Sequence, residues 1–218
     1  MAGELKKKLE PILQKYSWRH NEIPKIPVYK SEREEVEDEW DTEAICKKNI
    51  RRKRMLIRAC FAGSGKSHIG KHFNKLGYNT LFVVPQNMLK QEIDCDAETL
   101  NTFFSIPVFK DDNLPSYDYS AYQVIVFDEI YMASPSILHK IRVFCEQSPD
   151  LIIIGAGDVK QLPSIEPYTN CQNVDEYVES CMNIIFKYSI FLKICKRVGG
   201  KDTEEGERNR KKLDGFTK

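Results

Sequence analysis

The stretch that decides the fold is residues 55–67, Met-Leu-Ile-Arg-Ala-Cys-Phe-Ala-Gly-Ser-Gly-Lys-Ser. It reads as a short apolar strand, a turn of small residues, and then Lys66 and Ser67 at the start of a helix. Small residues allow several backbone N–H groups to point at one phosphate, and the helix N-terminus adds partial positive charge. This layout predicts a phosphate-binding loop in which Lys66 reaches the β- and γ-phosphates and the Ser67 hydroxyl holds Mg²⁺.

The loop departs from the usual pattern at its first position. Cys60 stands where such a loop has its first glycine, so only Gly63-Ser-Gly-Lys-Ser67 matches. Taken alone, this fragment also fits a turn of glycine and serine followed by a surface lysine. The choice between the two interpretations depends on what the rest of the chain supplies.

Length and composition limit the possible functions. The chain has 218 residues, with 33 Lys and Arg, 32 Asp and Glu, and a formal net charge of +1. This balance does not argue for or against a nucleic-acid partner, so such a case must come from local pattern. Seven cysteines are scattered without a Cys-X-X-Cys pair, which favours reduced thiols over a zinc knuckle or a disulfide scaffold. No apolar run approaches the roughly 18–20 residues that span a bilayer. We therefore expect an intracellular protein, cytoplasmic or nuclear, with no membrane partner.

Residues 1–54 differ in character from the rest. Prolines interrupt the first part, residues 32–43 are strongly acidic, and residues 47–54 (KKNIRRKR) are strongly basic. The basic run is a weak signal for nuclear import or nucleic-acid binding. The favoured interpretation is a solvated segment whose acidic and basic runs pair with each other. We expect a charged, partly irregular extension or linker over residues 1–54.

After residue 54, predicted strands and helices alternate. The predicted strands are Met55–Cys60, Thr80–Val84, Val124–Asp128 and Leu151–Ile154, and the predicted helices are Ser67–Leu76, Asn87–Ile93 and Pro135–Gln147. The strands are apolar runs without polar alternation, which indicates that both faces of the sheet are covered. The pattern predicts the α/β class, with a parallel sheet wrapped by helices on both faces. Phosphate-binding loops occur in this kind of fold.

Two carboxylates follow the third predicted strand directly. Asp128 and Glu129 come after the apolar run Val124–Phe127, which is the pattern of a Walker B site. Such a site gives the two groups separate roles: Asp128 would position Mg²⁺ through its water shell, and Glu129 would take a proton from the attacking water. An Asp-Glu pair is often only the polar start of a loop. Its combination with the loop at residues 63–67 favours nucleotide chemistry.

A third polar site follows the fourth predicted strand. The segment Gly157-Asp-Val-Lys-Gln-Leu-Pro163 places Gln161 beyond the carboxyl end of that strand. Ligands bind at this edge in open α/β sheets, so the Gln161 amide could sense a γ-phosphate. The alternative is an ordinary loop of Gly, Asp and Pro.

Three motifs in this order resemble the first motor domain of a superfamily 1 helicase, of the RecD-like branch. They are Ala62-Gly-Ser-Gly-Lys-Ser67, Phe127-Asp-Glu-Ile-Tyr-Met132 and Gly157-Asp-Val-Lys-Gln-Leu-Pro163. The resemblance covers about residues 55–200 and implies a RecA-like P-loop ATPase domain there. Residues 201–218 would then be a charged C-terminal tail.

The resemblance implies a role for each matching residue. The implied catalytic residues are Lys66, Glu129, Gln161 and Arg197, the last within a segment, residues 191–197, that resembles the strand closing this domain. The implied ATP-binding residues are Ala62, Gly63, Ser64, Gly65, Lys66, Ser67 and Gln161. The implied Mg²⁺ ligands are Ser67 and Asp128.

Weaker similarities concern single-stranded DNA or RNA. The segment 81–87 resembles a motif that touches the nucleic-acid backbone, and residues 99–107 are similar to the next motif. The implied nucleic-acid contacts are Pro85, Gln86, Asn87, Thr99 and Phe103. Phe103 could stack on a base, although core packing is an open alternative. Gln86 stands where the family usually has threonine and Asn101 where it often has histidine, which puts the details of strand contact in doubt.

The resemblance also implies a partner that this sequence lacks. Such helicases have a second RecA-like domain, which supplies an arginine across the nucleotide cleft, and only a charged tail follows Arg197. We expect ATP binding, weak hydrolysis by this chain alone, and a second RecA-like domain in cis or in trans. One alternative is a nucleotide-gated module that binds nucleic acid or protein with little turnover. A small-molecule kinase on the same scaffold is disfavoured, because a kinase needs no catalytic base for water.

Overall fold

The computed structural model describes residues 32–36, 41–59, 63–106, 117–160 and 174–193, with the backbone alone for 32–36 and 174–177. The strands of this part are β1 (Glu32–Val36), β2 (Arg54–Ala59), β3 (Thr80–Val84), β4 (Ala97–Thr99), β5 (Val124–Phe127), β6 (Ile152–Asp158) and β7 (Tyr188–Leu192). The helices are α1 (Thr42–Arg52), α2 (Lys66–Lys75), α3 (Asn87–Gln91), α4 (Leu100–Phe103), α5 (Pro135–Gln147) and α6 (Val174–Ile185), with a 3₁₀ turn at Ile130–Met132.

The seven described strands form one parallel sheet in the order β1-β7-β2-β6-β5-β3-β4. Strands β3 and β5 are buried along their whole length, as their uninterrupted apolar sequences predicted. Because every ladder is parallel, the carboxyl ends of all the strands lie at one edge. The predicted α/β class is confirmed.

Helices cover both faces of the sheet, and β2 shows the division. Leu56 belongs to a core shared with α5 and α6, whereas Met55 and Ile57 belong to a second core shared with α1 and α2. Close contact between layers requires a glycine in α2, because a Cβ at Gly70 would lie 2.7 Å from Cζ of Phe82. The sheet is therefore a central layer between two sets of helices.

Local sequence explains where several helices begin. The Ser134 hydroxyl accepts a hydrogen bond from the backbone N–H of Ile137, and Pro135 occupies the first turn of α5. Both are typical of a helix N-terminus. Helix α5 has the predicted bounds, and α2 lies one residue earlier than predicted. Within the described residues, no helix is long and apolar enough to cross a lipid bilayer.

The described elements that were not predicted include one strand and two longer helices. Strand β1 and helix α1 precede residue 55, and α6 precedes β7. Strand β1 pairs along its whole length with β7, and α1 buries Ile45 and Cys46 in the core. Hydrophobic periodicity does not identify β1 and α1, because their sequences are rich in charged residues. An edge strand such as β1 can be held by its backbone hydrogen bonds instead. The predicted domain boundaries at residues 54 and 200 stay predictions. Strand β1 and helix α1 lie before the first of these boundaries, and both are associated with the sheet.

Strand β6 is longer than its predicted counterpart, residues 151–154. It continues through Gly155-Ala-Gly157 to Asp158 because β2 pairs with it as far as Asp158, whereas the pairing with β5 stops at Gly155. Gly155 provides space for the core, since a Cβ there would lie 2.7 Å from Cζ of Phe186 and 2.9 Å from Cδ1 of Leu56. Both neighbours are buried, so neither can move without repacking.

We expect Gly155→Ala to lower the free energy of unfolding by about 1–3 kcal/mol, because it overpacks a filled core. Urea denaturation monitored by circular dichroism would measure the change. The double variant Gly155→Ala/Phe186→Leu is the matched control and should recover part of the loss by removing the clashing ring. Unchanged stability in the single variant would contradict the packing described here.

Candidate functional site

The phosphate-binding loop is described from Gly63 onwards. Gly63 and Gly65 have φ angles of 78° and 96°, in the left-handed region that favours glycine. They flank the buried Ser64, and Gly65 directly precedes α2. The chain therefore turns sharply between β2 and α2, as the small residues predicted. Ala62 and Cys60 lie outside the described residues.

The loop buries two polar side chains, and one of them, the Ser64 hydroxyl, has no hydrogen-bond partner among the described residues. Lys66, the first residue of α2, is only 6% exposed. No described carboxylate lies within ion-pair distance of its ammonium. The hydroxyl of Ser64, two residues earlier, is buried without a hydrogen-bond partner among the described residues. Burying such groups without partners is costly. An anion with several oxygen atoms, such as a triphosphate, would satisfy them.

A hydrogen bond joins the loop to the end of β5. The Ser67 hydroxyl donates to Oδ2 of Asp128 at 2.6 Å, across 61 positions of sequence. Oδ1 of Asp128 accepts the backbone N–H of Glu129 at 3.0 Å. A hydroxyl and a carboxylate are the hard oxygen donors that Mg²⁺ prefers. These two predicted ligands are therefore brought together in a form that fits the ion.

Burial controls the electrostatics of Asp128, which is 6% exposed. Desolvation raises the pKa of its carboxyl group above the ordinary value. The hydrogen bonds from Ser67 and Glu129 and the positive charge of Lys66 act in the opposite direction. Keeping this carboxylate ionised therefore lowers the folding stability of the ligand-free protein. A bound cation would offset that loss.

Glu129 has an unusual backbone. Its φ angle is 51°, in the left-handed region, and the residue lies two positions after the end of β5 and directly before the 3₁₀ turn Ile130–Met132. Such a conformation costs a residue other than glycine on the order of 1–3 kcal/mol and persists where the surroundings enforce it. The strain falls on the residue that the sequence predicted as the general base.

Two predicted catalytic residues, Gln161 and Arg197, lie outside the described residues, so their roles stay predictions. The strands that lead to them are well placed. Ala59 at the end of β2 pairs with Asp158 on β6 and with Leu192 on β7. Each of the two residues therefore follows a strand directly beside the one that enters the phosphate loop.

The predicted nucleic-acid contacts divide into exposed and enclosed residues. Gln86 and Asn87 are exposed, and Pro85 is half-buried, at the carboxyl end of β3. Thr99 is buried, and its hydroxyl accepts the backbone N–H of Thr102 at 3.2 Å and so caps α4. The prediction for Thr99 therefore has less structural support than those for Gln86 and Asn87.

The base-stacking prediction for Phe103 is wrong. Its side chain is 6% exposed and lies in the core. The ring centroid is 5.1 Å from that of Phe144 and 5.8 Å from that of Phe127, with both rings edge-on. Helix α4 turns the side chain inward between β5 and α5, which leaves no face for a base.

The structure identifies an ion pair beside Thr99 that the sequence did not indicate. Both carboxylate oxygens of Glu98 lie 3.0 Å from Nζ of Lys90, and Oε1 accepts the backbone N–H of Thr99 at 2.8 Å. Burial raises the pKa of Glu98, but these hydrogen bonds and the Lys90 charge outweigh burial and lower it overall. Lys90 is thus a fixed cation near Gln86 and Asn87. Lys90 and Glu98 are eight residues apart and belong to a helix and a strand. Neither helical nor strand periodicity therefore predicts that they form an ion pair.

A cavity of about 450 Å³ lies at the opposite end of the sheet, at the amino ends of β2 and β7. Three of the cations that line it, Lys53, Arg54 and Arg142, already have partners. Arg54 donates to four backbone carbonyl oxygens, Lys53 pairs with Asp150 at 3.3 Å, and Arg142 pairs with Glu146 at 3.0 Å. These contacts hold the ends of α5 and the strands together, so the cavity has a structural explanation.

The chain resembles known helicases in sequence and in structure. DNA helicase B of Mus musculus is 34% identical over 97 residues, which are 43% of this chain and 9% of that protein. Bacteroides Pif1 bound to ssDNA matches with 19% identity and a TM-score of 0.51, over 72% of this chain and 42% of that one. Pif1 from Bacteroides sp in complex with ADP-AlF4 matches with 20% identity and a TM-score of 0.50, over 77% and 44%. No protein-family model matches the chain.

These likenesses show the fold, a RecA-like P-loop domain as found in the Pif1 structures. The chain spans less than half of each of these Pif1 chains and 9% of the curated relative. Lys66, Ser67 and Asp128 lie together at the carboxyl edge of that fold, in an arrangement that would suit a phosphate and a metal ion.

We expect Asp128→Asn to raise the stability of the ligand-free protein by about 0.5–2 kcal/mol at neutral pH, as removal of a destabilising site group commonly does. The raised pKa means that the folded state binds a proton more tightly than the unfolded chain does. Stability is therefore lost as pH rises through the interval between the unfolded and the folded pKa. The gain in the variant should shrink as the pH falls below the unfolded value.

Urea denaturation at a series of pH values would measure this difference. Asp118→Asn is the matched control, because that aspartate is exposed and accepts the backbone N–H of Ser120 at 2.9 Å. It should give no gain in stability. A loss of stability in Asp128→Asn at neutral pH would contradict the proposed cost.

Proposed function

We propose that this chain is the ATP-binding and ATP-hydrolysing motor domain of a helicase-like protein that acts on single-stranded DNA. The observation that carries the proposal is the 2.6 Å contact between Ser67 and Asp128 beside the buried Lys66. It joins the phosphate loop to the carboxylate pair, as ATP hydrolysis with Mg²⁺ requires. The Pif1 complex with ADP-AlF4 supports nucleotide binding by this fold.

The residues at the edge of the sheet divide the chemistry among them. The Lys66 ammonium would neutralise the β- and γ-phosphates, and Gly63 to Gly65 would enclose them. Ser67 and Asp128 would hold Mg²⁺. When bound, the ion supplies positive charge that stabilises the phosphate oxygens during transfer.

Glu129 is the proposed general base. It follows Asp128 directly, but its left-handed backbone interrupts the strand, so the two carboxylates leave the chain from different local geometries. One can serve the metal while the other accepts a proton from water. Gln161 as the γ-phosphate sensor and Arg197 as a charge-stabilising residue complete the proposed site.

Single-stranded DNA is the proposed partner at the carboxyl end of β3. The exposed Gln86 and Asn87 supply hydrogen-bonding groups, and Lys90 supplies a nearby cation. Such groups suit contacts to a phosphate backbone. The similarity to DNA helicase B and to Pif1 bound to ssDNA favours DNA over RNA.

A second RecA-like domain, in cis or in trans, is the other proposed partner. The chain matches 42–44% of the Pif1 chains, which leaves room in those proteins for a domain of similar size. An arginine supplied across the cleft can contribute on the order of 10³–10⁵ in rate in related P-loop enzymes. The RecD-like branch of superfamily 1 is the proposed affiliation, on the three motifs at residues 62–67, 127–132 and 157–163.

We expect Lys66→Ala to abolish ATP binding and Glu129→Gln to retain it while turnover falls by roughly 10²–10⁴-fold, the usual contribution of a general base. Binding of a fluorescent ATP analogue and phosphate release would measure the two effects. Glu146→Gln is the matched control for the second variant, because Glu146 is exposed and lies at the end of α5. A wild-type chain that binds ATP but turns over no faster than Glu129→Gln would instead indicate a nucleotide-gated binding module.

We expect single-stranded DNA to increase ATP turnover by the wild-type chain, with a second RecA-like domain added if basal turnover is too slow to measure. The double variant Gln86→Ala/Asn87→Ala should raise the DNA concentration for half-maximal turnover by about 3–10-fold, through lost backbone contacts. Asn74→Ala, an exposed residue near the end of α2, is the control. Equal concentrations for all three proteins would reject this surface as the DNA site.

A further inference from the structure

Four residues from four elements meet on the face of the sheet covered by α6. Nη2 of Arg58 on β2 donates to Oε1 of Glu179 on α6 at 3.0 Å. The hydroxyl of Tyr131, in the 3₁₀ turn, donates to the same oxygen at 3.3 Å. Gly157 on β6 is the registered neighbour of Arg58. We call Arg58, Tyr131, Gly157 and Glu179 the Tyr131 clamp.

The tyrosine ring lies on a glycine. A Cβ at Gly157 would lie 2.6 Å from Cδ2 of Tyr131, closer than side chains normally approach. Gly157 therefore provides the space in which the ring packs against the sheet. Because Gly157 is also the first residue of the third motif, residues 157–163, the ring packs at the start of that motif.

Electrostatics make the clamp resistant to opening. The side chain of Arg58 is 9% exposed, and its Nε has no hydrogen-bond partner, while the side chain of Glu179 is 38% exposed. Among the described residues, Glu179 is the carboxylate that pairs with this buried cation. Breaking a buried pair by removing one partner is strongly unfavourable, because the other charge is left uncompensated.

The clamp connects the three nucleotide motifs. Arg58 is in the strand that enters the phosphate loop, and Tyr131 is two residues after Glu129 in the turn that this residue begins. Gly157 is the last residue but one of β6 and the first residue of the third motif. A shift of the tyrosine would therefore change the position of the Glu129 turn relative to both neighbouring loops.

We propose that Tyr131 and Glu179 are positioning residues for ATP hydrolysis: the clamp fixes the turn that carries Glu129 against the strands that carry the phosphate loop and the Gln161 loop. Neither residue is among the proposed nucleotide-binding or catalytic residues. The proposal rests on the proposed ATPase function. It assigns a role to α6, which the nucleotide motifs do not include.

Steady-state kinetics of the full 218-residue chain would test the role. We expect Tyr131→Phe and Glu179→Gln to lower kcat by about 3–10-fold, since small misplacements of catalytic groups carry costs of this size. We expect Gly157→Ala to lower kcat by about 10–100-fold, because the added Cβ would displace the tyrosine ring. The affinity for the ATP analogue should stay within about twofold, because the phosphate loop is intact. Tyr131→Phe and Glu179→Gln should also be non-additive, since both change the hydrogen bonds that meet at Oε1 of Glu179.

Tyr122→Phe is the matched control. The Tyr122 hydroxyl donates to Oδ2 of Asp96 at 3.2 Å, so the variant removes a similar tyrosine–carboxylate hydrogen bond away from the clamp. It should leave kcat at the wild-type value. Equal loss of kcat in Tyr122→Phe and Tyr131→Phe would show a general stability effect and overturn the proposal.

Amide hydrogen exchange separates failure of this proposal from failure of the ATPase function. The peptide that contains Ile130–Met132 should exchange faster in Tyr131→Phe and Glu179→Gln than in wild type or Tyr122→Phe, with or without measurable turnover. Absence of ATP hydrolysis by wild type would reject the proposed function. Unchanged exchange in this peptide would reject the clamp.

Discussion

The parallel pairing of β2 with β6 and β7, together with that of β6 with β5, is the constraint on which the site depends. It brings the ends of β2 and β5 to one edge, so that Ser67 and Asp128 meet across 61 positions of sequence. An antiparallel arrangement would separate them, because alternate strands would then end at opposite edges. Burial of both faces by helices holds this register, since a slip would expose the apolar side chains.

The same edge concentrates unfavourable features. Lys66 and Asp128 are buried charged residues, the Ser64 hydroxyl is buried without a partner, and Glu129 has a left-handed backbone. Each lowers the stability of the ligand-free protein, and each lies where a nucleotide and its metal would bind. A site organised before its ligand arrives needs little rearrangement at the moment of reaction, which is how electrostatic preorganisation assists catalysis.

Rigid support for that edge comes from the layers beneath it. The core on the α5 and α6 side includes Ile130 and Tyr131, so the turn after the carboxylate pair is packed as part of the protein interior. The Arg58–Glu179 pair adds a polar connection between β2 and α6 at the same level. Positions of the site residues are therefore set by contacts with both neighbouring strands and the covering helix.

The sequence by itself predicted the central strands and a phosphate site. Strands β3 and β5 were predicted because their apolar runs are continuous, and helix α5 was predicted with the bounds that it has. The phosphate site was predicted because Gly63–Ser67 and Asp128 carry recognisable motifs. These features are local, so residue type and spacing suffice to identify them.

Only the tertiary structure decided the rest. Strand β1 has a charged sequence and is held by its pairing with β7, and Phe103 turns into the core because α5 and β5 surround it. The contact of Glu179 with Arg58 joins residues 121 positions apart and belongs to no motif. Such features depend on which distant groups the fold brings together, and hydrophobic periodicity carries no information about that choice.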